Sequence, residues 1–176
     1  NNQKVYNLSA LLRYDFPSLK NETKLISKKD RPIQNYCVGD EYIYASIENA
    51  GRDEIYSIQY ENDQIKKISF GEKGCFTNVC CSKGKNPVII SNFETASMPP
   101  EVAIVSSNEL KYLSEFNKEK LSKLDLTDVE TFYTVSSKNK NIRSILIKPA
   151  NFDSGKKYPL FILIHGGPAG TWKENW

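Results

Sequence analysis

Three short segments of similar sequence recur along the first two thirds of the chain. They occupy positions 23–27, 65–69 and 110–114, and each contains a lysine and ends in an aliphatic residue followed by serine. The aliphatic residues before the serines lie about 42 and about 45 residues apart, and one four-stranded β-propeller blade has a repeat of about 40 to 45 residues. The spacing therefore predicts successive blades of a β-propeller rather than the alternative, a Greek-key β-sandwich.

Strand-like segments fill the sequence between these repeated endings. Runs rich in β-branched and aromatic residues follow polar turns, which is the pattern of short antiparallel strands. We predict strands at 41–47, 53–58, 86–91 and 100–105, fainter ones at 31–37 and 75–81, and an outer hairpin that begins at 11–16 and turns at Asn21. Residues 1–125 are therefore expected to form a partial β-propeller of about two to three blades.

The character of the sequence changes after Ser114. Residues 115–128 are polar and lack strand alternation, as expected of a connector between domains. Strands are predicted at 129–135 and 142–147, and a further strand from Leu160 to Ile164 is apolar at every position. Such a run is typical of a central strand that is covered on both faces, whereas a propeller strand is expected to have one solvent-exposed face.

This apolar run leads directly into His165-Gly166-Gly167-Pro168. Glycines after a central strand allow a tight turn and bring backbone N–H groups close to a ligand, which is how the oxyanion hole of an α/β-hydrolase is built. Gly167 and Gly166 are therefore the candidate oxyanion-hole residues. His165 and Pro168 are expected to support the loop, because the catalytic histidine of this fold comes after the nucleophile and the acid in chain order.

The predicted fold class is thus mainly β, with the C-terminal blades of a β-propeller followed by the first strands of an α/β-hydrolase domain. Residues 126–176 are expected to contain the linker and the truncated start of that second domain. Glu48 and Glu54 fall near a predicted turn of a blade, where carboxylates are usually solvated. No glutamate pair that would hold the amino terminus of a substrate is identifiable.

Charge and hydropathy exclude two classes of partner. The chain has 24 Lys and Arg against 21 Asp and Glu, a net charge of +3, and these charges are scattered, so no nucleic-acid groove is expected. The longest apolar run is far shorter than the ~20 residues of a membrane span, so no membrane is expected. The first residues resemble no signal peptide and lack an initiator Met, so they say little about location. The cytoplasm is the expected compartment, and the periplasm and secretion are left open.

Metal sites are not expected either. The four cysteines, Cys37, Cys75, Cys80 and Cys81, have no Cys-x-x-Cys spacing, and the single histidine lies far from them in sequence. A zinc site needs four convergent ligands. The cysteines are expected to be buried thiols, and the alternative is a disulfide from Cys80 or Cys81 to Cys37 or Cys75.

The junction between the two predicted domains resembles the prolyl oligopeptidase family of serine peptidases, particularly its acylaminoacyl-peptidase and dipeptidyl-peptidase branches. The resemblance covers about 35 residues, an extent typical of a specific local motif set. It rests on Lys148-Pro149, Asn151-Phe152-Asp153, Lys157-Tyr158-Pro159, His165-Gly166-Gly167-Pro168 and Trp172. In this family a β-propeller precedes an α/β-hydrolase domain.

The resemblance implies a serine peptidase that hydrolyses short peptides through an acyl-enzyme, with the propeller acting as a lid and filter. It also implies that Gly167 donates its backbone N–H to the oxyanion and that no metal or organic cofactor is needed. The nucleophile should lie in Gly-x-Ser-x-Gly, and no such motif occurs in the 176 residues. We therefore expect this segment to be part of a longer chain and inactive alone; homo-oligomerisation of the full-length protein is left open.

Two other functions remain as alternatives at this point. A carboxylesterase or lipase also uses a glycine oxyanion loop, although such esterases usually lack a propeller. A non-catalytic propeller scaffold, or a pseudo-enzyme without the serine, is the second alternative. The residues that would follow Trp176 distinguish these possibilities.

Overall fold

The computed structural model describes residues 9–26, 31–167 and 170–176. This part of the chain is almost entirely β, with one short helix, α1 (Lys118–Leu121). The strands are β1 (Leu11–Arg13), β2 (Thr23–Leu25), β3 (Ile33–Val38), β4 (Tyr42–Asn49), β5 (Arg52–Gln59), β6 (Ile65–Lys67), β7 (Cys75–Cys81), β8 (Ile89–Thr95), β9 (Met98–Ile104), β10 (Lys111–Tyr112), β11 (Val129–Val135) and β12 (Asn141–Ile147).

Eight of these strands form two successive antiparallel meanders of four strands each. In the first meander, β3 pairs with β4, β4 with β5 and β5 with β6. In the second meander, β7, β8, β9 and β10 pair in the same order. A parallel contact between Asp53 of β5 and Cys75 of β7 joins the two meanders. Pairing of strict sequence neighbours is the arrangement of propeller blades and excludes a Greek-key connection among these strands.

Both faces of the first meander are buried. On one face, the alternate residues Ile43, Ala45 and Ile47 of β4 pack with the β1–β2 hairpin in a first apolar cluster. On the other face, Tyr44 of β4 packs with Phe76 of the second meander in a second cluster. For the central strands of the first meander, the expectation of one solvent-exposed face is therefore wrong, because the β1–β2 hairpin covers one face and the second meander covers the other.

The serines of the repeated segments have equivalent structural roles in the two meanders. The hydroxyl of Ser69 accepts a hydrogen bond from the backbone N–H of Ile55 on β5, at 3.1 Å. The hydroxyl of Ser114 accepts one from the N–H of Val102 on β9, at 2.9 Å. Each serine thus ties the end of the fourth strand to the third strand of its meander, which explains the repeat. The third copy of this serine, Ser27, lies outside the described residues.

Most of the predicted strands are confirmed, including the two faint ones that correspond to β3 and β7, the first strands of the meanders. Their boundaries move by a few residues; the strand predicted at 86–91 runs from Ile89 to Thr95. The predicted connector contains α1, and no strand lies between Tyr112 of β10 and Val129 of β11. The two strands predicted after the connector form the separate hairpin β11–β12.

The strand predicted from Leu160 to Ile164 is not formed. These residues have no regular secondary structure, and their side chains are 73–88% exposed. A strand exists only where a neighbouring strand accepts its backbone hydrogen bonds, and no strand in the described part of the chain pairs with this segment. Of the strands predicted for the start of the α/β-hydrolase domain, the central one at 160–164 is therefore not formed, and the start of that domain is not confirmed.

Candidate active site

The glycine loop that follows the apolar run is exposed at the surface of the protein. His165 directs its ring Nδ1 toward the backbone oxygen of Gly166, at 3.1 Å. Gly167 has a φ of +150°, in a region that side chains other than glycine rarely adopt. The Gly166 backbone oxygen also packs close to Gly170, where a methyl group would lie 2.9 Å from it. The loop therefore requires glycine at the position proposed for the oxyanion donor.

A short terminal segment, residues 172–176, anchors the chain just beyond this loop. Lys173 Nζ lies 2.9 and 2.8 Å from the two carboxylate oxygens of Asp53 at the start of β5. The backbone N–H of Glu174 donates to the carbonyl oxygen of Gly51 at 2.8 Å, and that of Trp176 donates to Glu94 at 3.1 Å. Both meanders thus hold the terminal segment.

The β11–β12 hairpin contributes a second ionic contact to the same region. Arg143 on β12 pairs with Glu174 at 2.5 Å, and both side chains are largely buried. The Arg143 guanidinium lies over Gly51, whose φ is +78°; a methyl group at that position would come within 2.2 Å of the guanidinium. Gly51 therefore serves two purposes, because it makes the β4–β5 turn and leaves room for the arginine.

The expectation that Glu48 and Glu54 are solvated is wrong. Glu48 is buried, and its carboxylate accepts a hydrogen bond from the backbone N–H of Gly51 at 2.8 Å. Glu54 is also buried and accepts hydrogen bonds from Asn49, Tyr56 and Lys67. The sequence signal that was missed is repetition, since Glu101 occupies the same third-strand position in the second meander and is buried as well.

The pKa values of Asp53 and Glu54 are shifted in opposite directions by the balance of burial and hydrogen bonding. Burial raises the pKa of Asp53 above its ordinary value, although Lys173 partly offsets this effect. For Glu54, burial acts in the same direction, but the hydrogen bonds from Lys67, Tyr56 and Asn49 outweigh it and lower the pKa. Asp53 is therefore the more costly of the two charges to keep buried.

A polar cavity of about 250 Å³ lies between the β4–β5 turn and the β11–β12 hairpin. Its walls include Arg52, Lys73 and Arg143. Arg143 is paired with Glu174, and Lys73 Nζ lies 3.0 Å from a carboxylate oxygen of Asp128. The cations in its walls are thus engaged mainly in contacts within the protein.

The predicted site residues are placed only in part. Gly166, Gly167 and His165 share one exposed loop, and Pro168 lies outside the described residues. Within residues 9–26, 31–167 and 170–176, no group of three or more His, Cys, Asp and Glu side chains has the arrangement of a metal site. Nor does any helix of this part of the chain have the length and apolar character needed to cross a membrane.

Sequence comparison gives no matching family model. Curated relatives nevertheless match well. Dipeptidyl-peptidase 5 of Aspergillus oryzae is 29% identical over 140 residues, which are 78% of this chain and 19% of the relative. Probable dipeptidyl-peptidase 5 of Arthroderma benhamiae is 41% identical over 70 residues, 40% of this chain and 9% of the relative. The chain is similar to peptidases of the prolyl oligopeptidase family. It spans about a fifth or less of the length of these relatives.

Solved structures agree in fold. Acylaminoacyl peptidase of Pyrococcus horikoshii superposes with a TM-score of 0.68 and 18% identity over 84% of this chain and 22% of that one. An acylaminoacyl peptidase in complex with Z-Gly-Gly-Phe-chloromethyl ketone gives a TM-score of 0.64 at 19% identity, over 80% of this chain and 21% of that one. The nearly all-β architecture of this chain thus matches the fold of β-propeller-type peptidases.

Proposed function

We propose that this chain is the end of a β-propeller and the start of an α/β-hydrolase domain in a serine peptidase that cleaves short peptides. The observation that carries the proposal is the His-Gly-Gly-Pro loop with Gly167 at a φ of +150°, in a chain 29% identical to a dipeptidyl-peptidase 5. We place the domain boundary near residue 125, within the connector that contains α1. Residues 1–125 then contribute blades, and residues 126–176 contribute the linker and the oxyanion loop.

In this proposal the loop stabilises charge rather than forming a bond. When a serine oxygen attacks the substrate carbonyl, negative charge develops on the carbonyl oxygen. The Gly167 backbone N–H would donate to that oxygen, with Gly166 allowing close approach, and His165 and Pro168 would hold the loop. Preorganised donors of this kind typically contribute roughly 100-fold to 1,000-fold in rate.

The remaining chemistry requires a nucleophile, an acid and a base that we place outside these 176 residues. The serine hydroxyl transfers its proton to histidine as it attacks, and the amine leaves with that proton, giving an acyl-enzyme. Water then attacks the acyl group, and the serine regains its proton as the acid is released. The meanders would act as a lid that admits short peptides and excludes folded proteins.

The proposal also covers partners and location. We expect short peptides as substrates, no nucleic-acid or membrane partner, and no metal or organic cofactor in the reaction. The cytoplasm is the favoured compartment, with periplasm and secretion as alternatives. Homo-oligomerisation is left to measurement of the mass of the natural polypeptide in solution.

The test starts from the natural polypeptide that contains this sequence. It is treated with a fluorophosphonate probe that labels active serines. It is also assayed with three substrates: a dipeptide naphthylamide with a free amino terminus, the naphthylamide of an acetylated amino acid, and a p-nitrophenyl ester. Labelling of one serine together with hydrolysis of either peptide-like class supports the proposal. Hydrolysis of the ester alone favours a carboxylesterase, and absence of both labelling and hydrolysis favours a non-catalytic scaffold; either result overturns the peptidase.

A further inference from the structure

The first strands of the two meanders, β3 and β7, contact each other without pairing as neighbours in the sheet. The side-chain oxygen of Asn35 accepts a hydrogen bond from the backbone N–H of Val79, at 2.9 Å and 44 positions apart. Further along, Lys83 Nζ donates to the backbone oxygen of Val38 at 3.1 Å, across 45 positions. These contacts hold equivalent points of the two meanders together.

Two cysteines occupy equivalent positions between these contacts. Cys37 lies on β3 and Cys81 on β7, and both pack against the same apolar cluster between the meanders. Both side chains are partly accessible, and each lies two positions beyond a residue of the Asn35–Val79 contact. Two thiols at equivalent positions of contacting strands in separate meanders are the candidates for a disulfide between the meanders.

The other two cysteines have different surroundings. Cys80 is exposed, and its sulfur lies 3.8 Å from the backbone oxygen of Asn78 in its own strand. Cys75 is buried beside Asp53; burial, followed by the Asp53 charge, raises its pKa to about 12. Successive residues of a strand point to opposite faces, so Cys80 and Cys81 cannot both face Cys37.

We propose that Cys37 and Cys81 are a reversible disulfide site that ties neighbouring meanders together when the protein meets a low-molecular-weight disulfide such as oxidised glutathione. Cys81 attacks one glutathione sulfur and releases a reduced glutathione. Cys37 then attacks the Cys81 sulfur of the mixed disulfide and releases the second. One S–S bond of glutathione is broken and one is formed in the protein, and the two thiol protons pass to the two glutathiones.

The order of attack follows from the environment of Cys37. Burial, followed by the hydrogen bond with Cys81, raises the pKa of Cys37. Since the thiolate is the attacking species, Cys37 is a poor starting point and serves better as the resolving thiol. The closed loop would join strands about 44 residues apart, a length for which a cross-link restricts the unfolded chain substantially.

The test uses the natural polypeptide and three variants, C37S, C81S and C80S. Each protein is incubated with oxidised glutathione, blocked with iodoacetamide and digested with trypsin. Peptide 74–83 contains Cys75, Cys80 and Cys81, so the C80S variant also simplifies assignment of the linked sulfur. Thiols are counted before and after oxidation, and the apparent melting temperature is measured with and without dithiothreitol.

The expected result is a Cys37–Cys81 linked peptide and a loss of two thiols in the wild type and in C80S. Oxidation should raise the melting temperature of both by about 5–15 °C, and dithiothreitol should reverse the rise. C37S should instead stop at a glutathione adduct, with no such rise. The proposal is overturned if Cys37 stays free after oxidation, if it links to Cys80 or to another molecule, or if C80S abolishes the cross-link.

Discussion

Lys173 Nζ lies 2.8 Å from a carboxylate oxygen of Asp53, although the two residues are 120 positions apart. The Asp53 side chain is only 3% exposed, and it stands at the start of β5 in the first meander. Lys173 follows the glycine loop by a few residues. This ion pair therefore ties the segment that follows the candidate oxyanion loop to the first meander.

Substitution of Lys173 by methionine should destabilise the natural polypeptide by about 3 kcal/mol, because it leaves Asp53 as an unpaired buried charge. The measurement is the urea midpoint of unfolding at pH 7. The pKa of Asp53 is already raised by burial and should rise further without the lysine. The folded variant then gains a proton as pH falls, so the deficit should shrink between about pH 7 and about pH 4.

The matched control is Lys156→Met, because Lys156 makes an exposed ion pair with Asp153 at 3.5 Å. This change should shift stability by no more than about 0.5 kcal/mol. Equal losses in the two variants, or a K173M deficit that grows at low pH, would contradict the assigned role of Asp53.

Glu54 should make the free energy of unfolding depend on pH in the acidic range. Its pKa is lower in the folded protein than the ordinary value of 4.5. Its contribution is therefore complete above pH 4.5 and is lost as pH falls through the lower folded value. Glu54→Gln should cost about 1–2 kcal/mol at pH 7 and progressively less as pH falls below 4.5. Urea unfolding across this range measures the difference, and the exposed Glu61→Gln should leave the pH profile unchanged.

Gly74 and Gly71 separate backbone strain from steric contact. Their φ angles are +74° and +75°, but only at Gly74 would a methyl group meet other atoms, 2.4 Å from the Glu94 backbone oxygen and 2.7 Å from the Phe93 ring. Gly71→Ala should cost about 1 kcal/mol, from the left-handed conformation alone. Gly74→Ala should cost about 3 kcal/mol or more, since strain and overpacking combine. Equal unfolding midpoints for the Gly71→Ala and Gly74→Ala variants would show that the segment just before β7 is not packed as described.

Gly167→Ala tests the oxyanion loop in the natural polypeptide. A methyl group at a φ of +150° would force the backbone to shift and would misdirect the N–H. We expect kcat for peptide hydrolysis to fall about 100-fold or more, with a smaller change in KM. Gly84→Ala is the matched control, because Gly84 also has a positive φ, of +106°, in open space. A normal kcat in G167A would remove this glycine from the site.

The apolar run predicts how residues 1–176 behave when produced alone. Five consecutive apolar side chains from Leu160 to Ile164 are exposed, so this segment should bind a hydrophobic dye and self-associate. The double variant F161S/I164S should reduce dye fluorescence by about half or more. The single surface change Val88→Ser should have little effect. A cooperative, monomeric, dye-free wild-type segment would be the contrary result.

Much of the fold was predictable because its signals are local. Alternation and turn residues identified ten of the strands within a few positions, and the repeated serines marked the ends of the meanders. The run at 160–164 was misinterpreted because apolar composition records a tendency toward burial but not the presence of a partner strand. A related difficulty led to the wrong expectation for Glu48 and Glu54, because proximity to a turn does not show whether hydrogen-bond donors surround a carboxylate. For Glu54, the equivalent glutamate at position 101 was the pattern that indicated burial.

The sequence by itself determined the repeat length, the order of the strands and the position of the glycine loop, since each depends on residues close together in the chain. Tertiary structure alone decided which charges are buried and which thiols meet. Asp53 pairs with Lys173, and Cys37 and Cys81 pack against the same apolar cluster; both relationships join distant positions and follow from how the chain packs. The physical reason is that burial of a charge or contact of two thiols depends on the surrounding atoms, which local periodicity does not specify.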